Sequence, residues 1–284
     1  MSSSVPRSNP TLVNIGTHSL ALYTHGPKPA SFKDPAVLFV SGVASSSHGW
    51  AAVIRLLPPS LRSYTYDRSG CGSSELSPLA PTAENIALEL SRLIEHAPIE
   101  NPLIIVGHSW AGVLAREFVL STGNGPHIAG LVLVDANQEN SLKEWDAFVC
   151  DETTEKFKQQ GEKEKEAYVP SFETLQKKGL ENLQPLLGNN PVYVVGGMRS
   201  RDWSRLYEAG IEKGNGTKEQ RSHASEMIRT ADEKSHGLMK EHLDLSTKRK
   251  LVFARESGHF VQLTQPDFVV DGVSWVLDRL QFGP

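Results

Sequence analysis

Short apolar runs recur along the chain: AVLFV (36–40), LIIV (103–106), LVLV (131–134), VYVV (192–195) and LVFA (251–254), with a more polar SYTY (63–66) before Asp67. Runs this short, rich in β-branched side chains and lacking polar alternation, predict strands of a parallel sheet covered on both faces. Buried helical pieces would share that composition, so the segments between the runs decide. Those segments have a helical period. Ile86, Leu90, Leu93 and Ile94 fall at i, i+4, i+7 and i+8, between Thr82 as N-cap and a stop at Pro98. Ala111, Leu114, Ala115, Phe118 and Val119 keep to one helix face, as do Val269, Val273, Val276, Leu277 and Leu280. Strands alternating with helices predict an α/β fold with a mostly parallel central sheet flanked by helices. TLVNIGTHSLALYT (11–24) suits an added antiparallel hairpin.

The alternation breaks between about 137 and 190, a charged, helix-prone stretch too long for a simple connection. A pair of surface helices is one reading. An inserted helical cap is the preferred one, because Trp145, Phe148, Phe157, Tyr168 and Phe172 need a surface to cover. The core then comprises 1–136 and 191–284 and the cap 137–190, with a further cap contribution from about 203–245. Within the cap, KFKQQGEKEKE (156–166) reads as a solvated face and not a binding patch.

Composition narrows the partners. A chain of 284 residues can bury a sizeable core, as one large α/β domain or two small ones. A net charge of -4 makes no electrostatic case for nucleic acid. Two cysteines, Cys71 and Cys150, provide neither a disulfide framework nor a thiolate metal cluster. No run approaches the roughly 18 apolar residues of a membrane span, and MSSSVPRSNPTLVN lacks the apolar core of a signal peptide. The expectation is a soluble cytoplasmic protein acting on a small molecule. Neither HExxH nor a dinucleotide fingerprint occurs, so no metal and no cofactor is expected.

The candidate chemistry starts at LIIVGHSWAG (103–112). G-x-S alone is weak, and Gly72-Ser73-Ser74 is a second instance. Context singles out Ser109: an apolar strand ends at Val106 and an amphipathic helix starts by Ala111, the strand–turn–helix setting that lifts a serine hydroxyl above a sheet edge. Ala111 is small enough for strand and helix to pass. A serine needs a base, and His259 follows Ser257-Gly258 just beyond the last strand, on the edge where Ser109 also lies. His108, adjacent on the turn, points away and reads as packing. Two carboxylates are available to orient the imidazole. Asp135 ends LVLVD directly and is preferred; Asp202, in GGMRSRDW, is the alternative and has Arg201 beside it. Backbone N–H groups of Trp110, after the serine, and Val43, in the loop after AVLFV, would form an oxyanion hole.

Taken together, GHSWAG, TYDRSGCGSS (65–74), LVLVDA (131–136) and SGHFVQLTQPDFV (257–269) resemble the α/β-hydrolase superfamily over nearly the whole chain outside the cap. The resemblance implies Ser109 as nucleophile and His259 as base. Many members carry the acid after the next-to-last strand in a G-x-x-D pattern. Here the third position after Gly196 is Arg199, which argues against Asp202, while members with the acid one strand earlier match Asp135. Ser41-Gly42 replaces the usual His-Gly, and Ala111 replaces a glycine. The implied activity is a serine hydrolase cleaving a carboxylic ester or lactone of a lipophilic molecule. Rivals are a non-hydrolytic enzyme on the same fold, such as a lyase or secondary-metabolite tailoring enzyme, and a ligand-binding receptor with a vestigial triad.

Overall fold

A computed structural model describes residues 9–97, 99, 101–123, 127–141 and 155–280. The apolar runs become strands. β1 (Thr11–Asn14) and β2 (Ser19–His25) form the antiparallel hairpin. β3 (Ala36–Val40), β4 (Ser63–Tyr66), β5 (Leu103–His108), β6 (Ile128–Val134), β7 (Val192–Gly197) and β8 (Arg249–Ala254) run parallel to one another. The eight-stranded order is β1-β2-β4-β3-β5-β6-β7-β8, with β2 antiparallel to β4.

Side chains alternate across this sheet into two cores, which is why the strands carry no polar alternation. Leu38, Val40, Leu103, Ile105, Leu131, Leu133 and Val194 face one core, where α2 (Ala83–His96) packs on α3 (Ala111–Thr122). Val37, Phe39, Ile104, Val106, Val132, Val134 and Val195 face the other, where α1 (Ala51–Leu56) packs on α8 (Pro266–Leu277). Each fully buried Val, Leu or Ile contributes about 1.5–3 kcal/mol relative to exposure. Thr82 caps α2, its side chain accepting the Asn85 N–H.

The chain leaves β3 toward β4 on one side and returns across it to β5 on the other. That reversal is a topological switch point, and the crevice beyond the strand ends there is where open α/β sheets bind ligands.

The connections late in the chain are helical. Between β6 and β7 lies α4 (Glu155–Lys177). Between β7 and β8 lie α5 (Arg199–Glu212) and α6 (Lys218–Glu241), and the short α7 (Val261–Thr264) precedes α8. Trp145, Phe148 and the Phe157 side chain lie outside the described residues. Phe172 of α4 is buried in the first core, with Tyr168 packed edge-on against it and against Trp110. The expectation that 156–166 is a solvated face needs correction. Glu162, Lys163 and Glu166 are exposed, but Gln160, Gly161 and Glu164 are buried, because α4 lies on the loops at the strand ends and not out in solvent. No helix among the described residues is long and apolar enough to cross a membrane.

Candidate active site

Among the described residues, only Ala44, Ser109 and Asp135 combine a side chain beyond glycine with positive φ, at 49°, 55° and 40°. Such backbone costs on the order of 1–3 kcal/mol per residue and persists where surrounding structure imposes it. All three stand just past strand ends, after β3, β5 and β6. Strain therefore gathers on one rim, next to the switch point.

Hydrogen bonds impose the strained turns. The Ser109 N–H donates to the Val134 carbonyl, while the Ser109 carbonyl accepts from Gly112 N and Asn137 N. Asp135 N donates to Val195 O, and Asp135 Oδ1 accepts from Gly197 N at 3.0 Å. The ends of β5, β6 and β7 are thus stitched together laterally. Gly112 shows where the displaced glycine of the GHSWAG motif is needed: a Cβ there would collide with the Asn137 carbonyl. Ala111 meets no comparable obstacle, and its Cβ lies against the backbone at Gly107.

The structure brings Ser109, His259 and Asp135 into one hydrogen-bonded run. Ser109 Oγ lies 3.0 Å from His259 Nε2, and His259 Nδ1 lies 2.5 Å from Asp135 Oδ2. The carboxylate only accepts, so Nδ1 carries the ring proton and Nε2 is left to accept from the serine. Ser109 Oγ also lies 3.3 Å from Asn137 Oδ1, which accepts the Tyr168 hydroxyl at 3.1 Å.

Asp202 is held elsewhere. Its Oδ2 accepts the backbone N–H of His259 at 2.6 Å, and the His259 carbonyl accepts from His108 Nε2 at 2.9 Å. His259 is thereby clamped through both of its main-chain groups. His108 is more than packing, a role its position next to Ser109 did not reveal. Burial first, then the neighbouring His259, lowers its pKa to about 3, so it stays a neutral donor. His242 holds the main chain one residue after Asp135. Arg116 Nη2 donates to its Nδ1, its Nε2 donates to the Ala136 carbonyl, and burial foremost lowers its pKa to about 3.

Electrostatics favour a neutral His259 imidazole beside an ionised Asp135. Burial would raise the Asp135 pKa, but the Arg199 guanidinium, then the hydrogen bond and charge of His259 and the Gly197 N–H, hold it well below the usual carboxylate range. Arg199 Nε sits 2.9 Å from Asp135 Oδ2 without a directed hydrogen bond, so the contact is one of charge. For His259, burial first and Arg199 second lower the pKa, opposed by Asp135 and Asp202.

The loop after β3 faces the serine from the other side. A Cβ on Gly42 would come within 2.9 Å of the Ser109 Cβ, so the main chain at Gly42 passes directly beside Ser109. Among the described residues the Val43 and Trp110 N–H groups have no hydrogen-bond partner. The buried Arg68 holds this loop and is paired with the buried Glu164 of α4. Removing one member of such a pair costs about 3–5 kcal/mol, because the other is left as a lone buried charge. Glu164 escaped sequence reasoning; the only signal was a helical period hidden within a charge run.

An eight-stranded, mostly parallel sheet flanked by helices, with serine, imidazole and carboxylate aligned on its C-terminal edge, is the architecture of the α/β-hydrolase fold. The chain belongs to the alpha/beta hydrolase family, whose model matches residues 37–272. An AB hydrolase superfamily protein of Gibberella zeae is 29% identical over 289 residues, 88% of each chain. The probable transporter efuK of Hormonema carpetanum is 30% identical over 305 residues, covering 95% of this chain and 43% of that one. A thermophilic esterase from Thermogutta terrifontis superposes with a TM-score of 0.62 at 17% identity, over 98% of this chain and 100% of that one, a likeness of fold.

Proposed function

We propose that the protein is a serine hydrolase that cleaves a carboxylic ester or lactone of a lipophilic small molecule through an acyl-enzyme. The observation that carries this reading is the run Ser109 Oγ–His259 Nε2–Nδ1–Asp135, at 3.0 and 2.5 Å, built on strained strand ends. In it, Ser109 Oγ bonds to the substrate carbonyl carbon while His259 Nε2 takes the hydroxyl proton. Asp135 stabilises the imidazolium, and the Val43 and Trp110 N–H groups bind the oxyanion. Collapse breaks the carbon–oxygen bond to the leaving group, which leaves with the proton from His259. Water, deprotonated by the same imidazole, then releases the acid and regenerates Ser109.

The insertion at 137–190 acts as a cap in this reading, with α4 as the main helix of its described residues and α5 and α6 extending it. The lipophilic preference is supported by Phe260, which is 47% exposed with its ring 5.2 Å from the His259 imidazole. The test is turnover of p-nitrophenyl esters of increasing chain length and of aliphatic lactones. The expected result is hydrolysis by the wild type and a fall of about 10⁶-fold in kcat for Ser109→Ala. Undiminished hydrolysis by Ser109→Ala would rule the mechanism out.

A further inference from the structure

The loop Ser41-Gly42-Val43-Ala44 lacks the histidine that the family resemblance leads one to expect before its glycine, and it carries a left-handed alanine. Something outside the loop must therefore hold its shape. Arg68 Nη1 donates to the Ser41 carbonyl and Nη2 to the Gly42 carbonyl, each at 2.6 Å. Glu164 binds the same guanidinium through both oxygens, Oε1 to Nε and Oε2 to Nη2, each at 2.8 Å. Its Oε2 also accepts the Ala44 N–H at 2.7 Å. One turn earlier on α4, Gly161 lies against Ala44, where a Cβ would approach the Ala44 Cβ to 3.3 Å. Two carbonyls and one N–H of a four-residue loop thus end on a single buried ion pair.

We propose that Glu164 is a positioning residue for the oxyanion hole. It occupies the Ala44 N–H, seats Arg68 on the Ser41 and Gly42 carbonyls, and leaves the Val43 N–H as the loop's donor beside Ser109. This rests on the serine-hydrolase reading and deepens it: the inserted helix does more than cover the site, because its docking sets the geometry of oxyanion stabilisation. The pair carries no net charge, so the carboxylate seats the loop without adding uncompensated negative charge beside a developing oxyanion. Burial disfavours the Arg68 charge, but Glu164 more than offsets this and raises its pKa, so the guanidinium stays charged.

The experiment measures kcat and KM on a short-chain p-nitrophenyl ester, together with inhibition by a trifluoromethyl ketone that forms a tetrahedral adduct. Glu164→Gln is the first variant. The double variant Arg68→Met/Glu164→Leu is the second and removes both buried charges, leaving neither unpaired. The expected result is a fall of about 10- to 100-fold in kcat with KM nearly unchanged, and ketone affinity weakened in parallel with kcat/KM. A folded variant, single or double, that keeps kcat and ketone affinity within about twofold of wild type, even with a lowered Tm, would overturn the proposal. A folded wild type that hydrolyses nothing and binds no ketone would overturn the serine-hydrolase reading itself, so the two failures are distinct.

Discussion

The two sides of the Ser109 hydroxyl are built by different means. On the base side, Asp135 and His259 sit on the loops that leave β6 and β8, the two strands flanking β7, and Asp135 accepts from the end of β7 at Gly197 N as well as from His259. On the oxyanion side, the loop after β3 depends on a carboxylate 120 residues away along the chain, borne on a helix inserted between β6 and β7. The first side is built on strand ends and on the start of α5, which supplies Arg199 to Asp135 and Asp202 to the His259 N–H. The second is complete only when α4 is docked. In the proposed mechanism the strand-end loops carry the proton-transfer groups, while α4 sets how well negative charge is received.

Substitutions at the two carboxylates near His259 break this comparison most forcefully. Asp135→Asn leaves the shape of the site but abolishes the charge that fixes the imidazole tautomer, and kcat is expected to fall about 10⁴-fold. Asp202→Asn leaves a weaker, neutral acceptor for the His259 N–H and removes a charge that favours the imidazolium, and a loss of about 10-fold is expected. Steady-state kinetics on one ester decides the order. A larger loss from Asp202→Asn would move the acid to Asp202.

A smaller effect sharpens the electrostatic half of the contrast. The base works only when neutral, and kcat/KM therefore declines as pH falls through the His259 pKa. Burial and the Arg199 charge place that pKa below the ordinary histidine value, against the pull of Asp135 and Asp202; His108, also against the ring, stays neutral. Arg199→Met removes a cation that disfavours the imidazolium, so the acidic limb of the kcat/KM profile moves to higher pH. Plateau activity stays within about an order of magnitude, since serine, base and acid remain in place. An unmoved or lowered limb would show that Arg199 has no influence on the base.

What could be read from the sequence follows the same division. The β-branched runs and helical periods between them pointed to the parallel sheet, because burial on both faces leaves a local signature. Ser109 and Asp135 stood out because each directly follows a strand, and His259 because it lies in the loop just past the last one, so proximity to one sheet edge could be inferred without knowing distant contacts. Arg68 and Glu164 left no such mark. They are 96 residues apart, and Glu164 shares its turn with Glu162, Lys163 and Glu166, which do face solvent. His108 and Asp202 were visible as residues, but their grip on the main chain of His259 depends on loop conformation, which composition does not encode.

The central claim is that Ser109 is the nucleophile, activated by His259. It is tested most directly by treating the folded protein with a fluorophosphonate at neutral pH and mapping the adduct by peptide mass spectrometry. The account predicts a single stoichiometric adduct on the peptide containing Ser109, absent in Ser109→Ala and formed far more slowly in His259→Gln. A folded wild type that stays unlabelled, or an adduct on another serine that persists in Ser109→Ala, would contradict it.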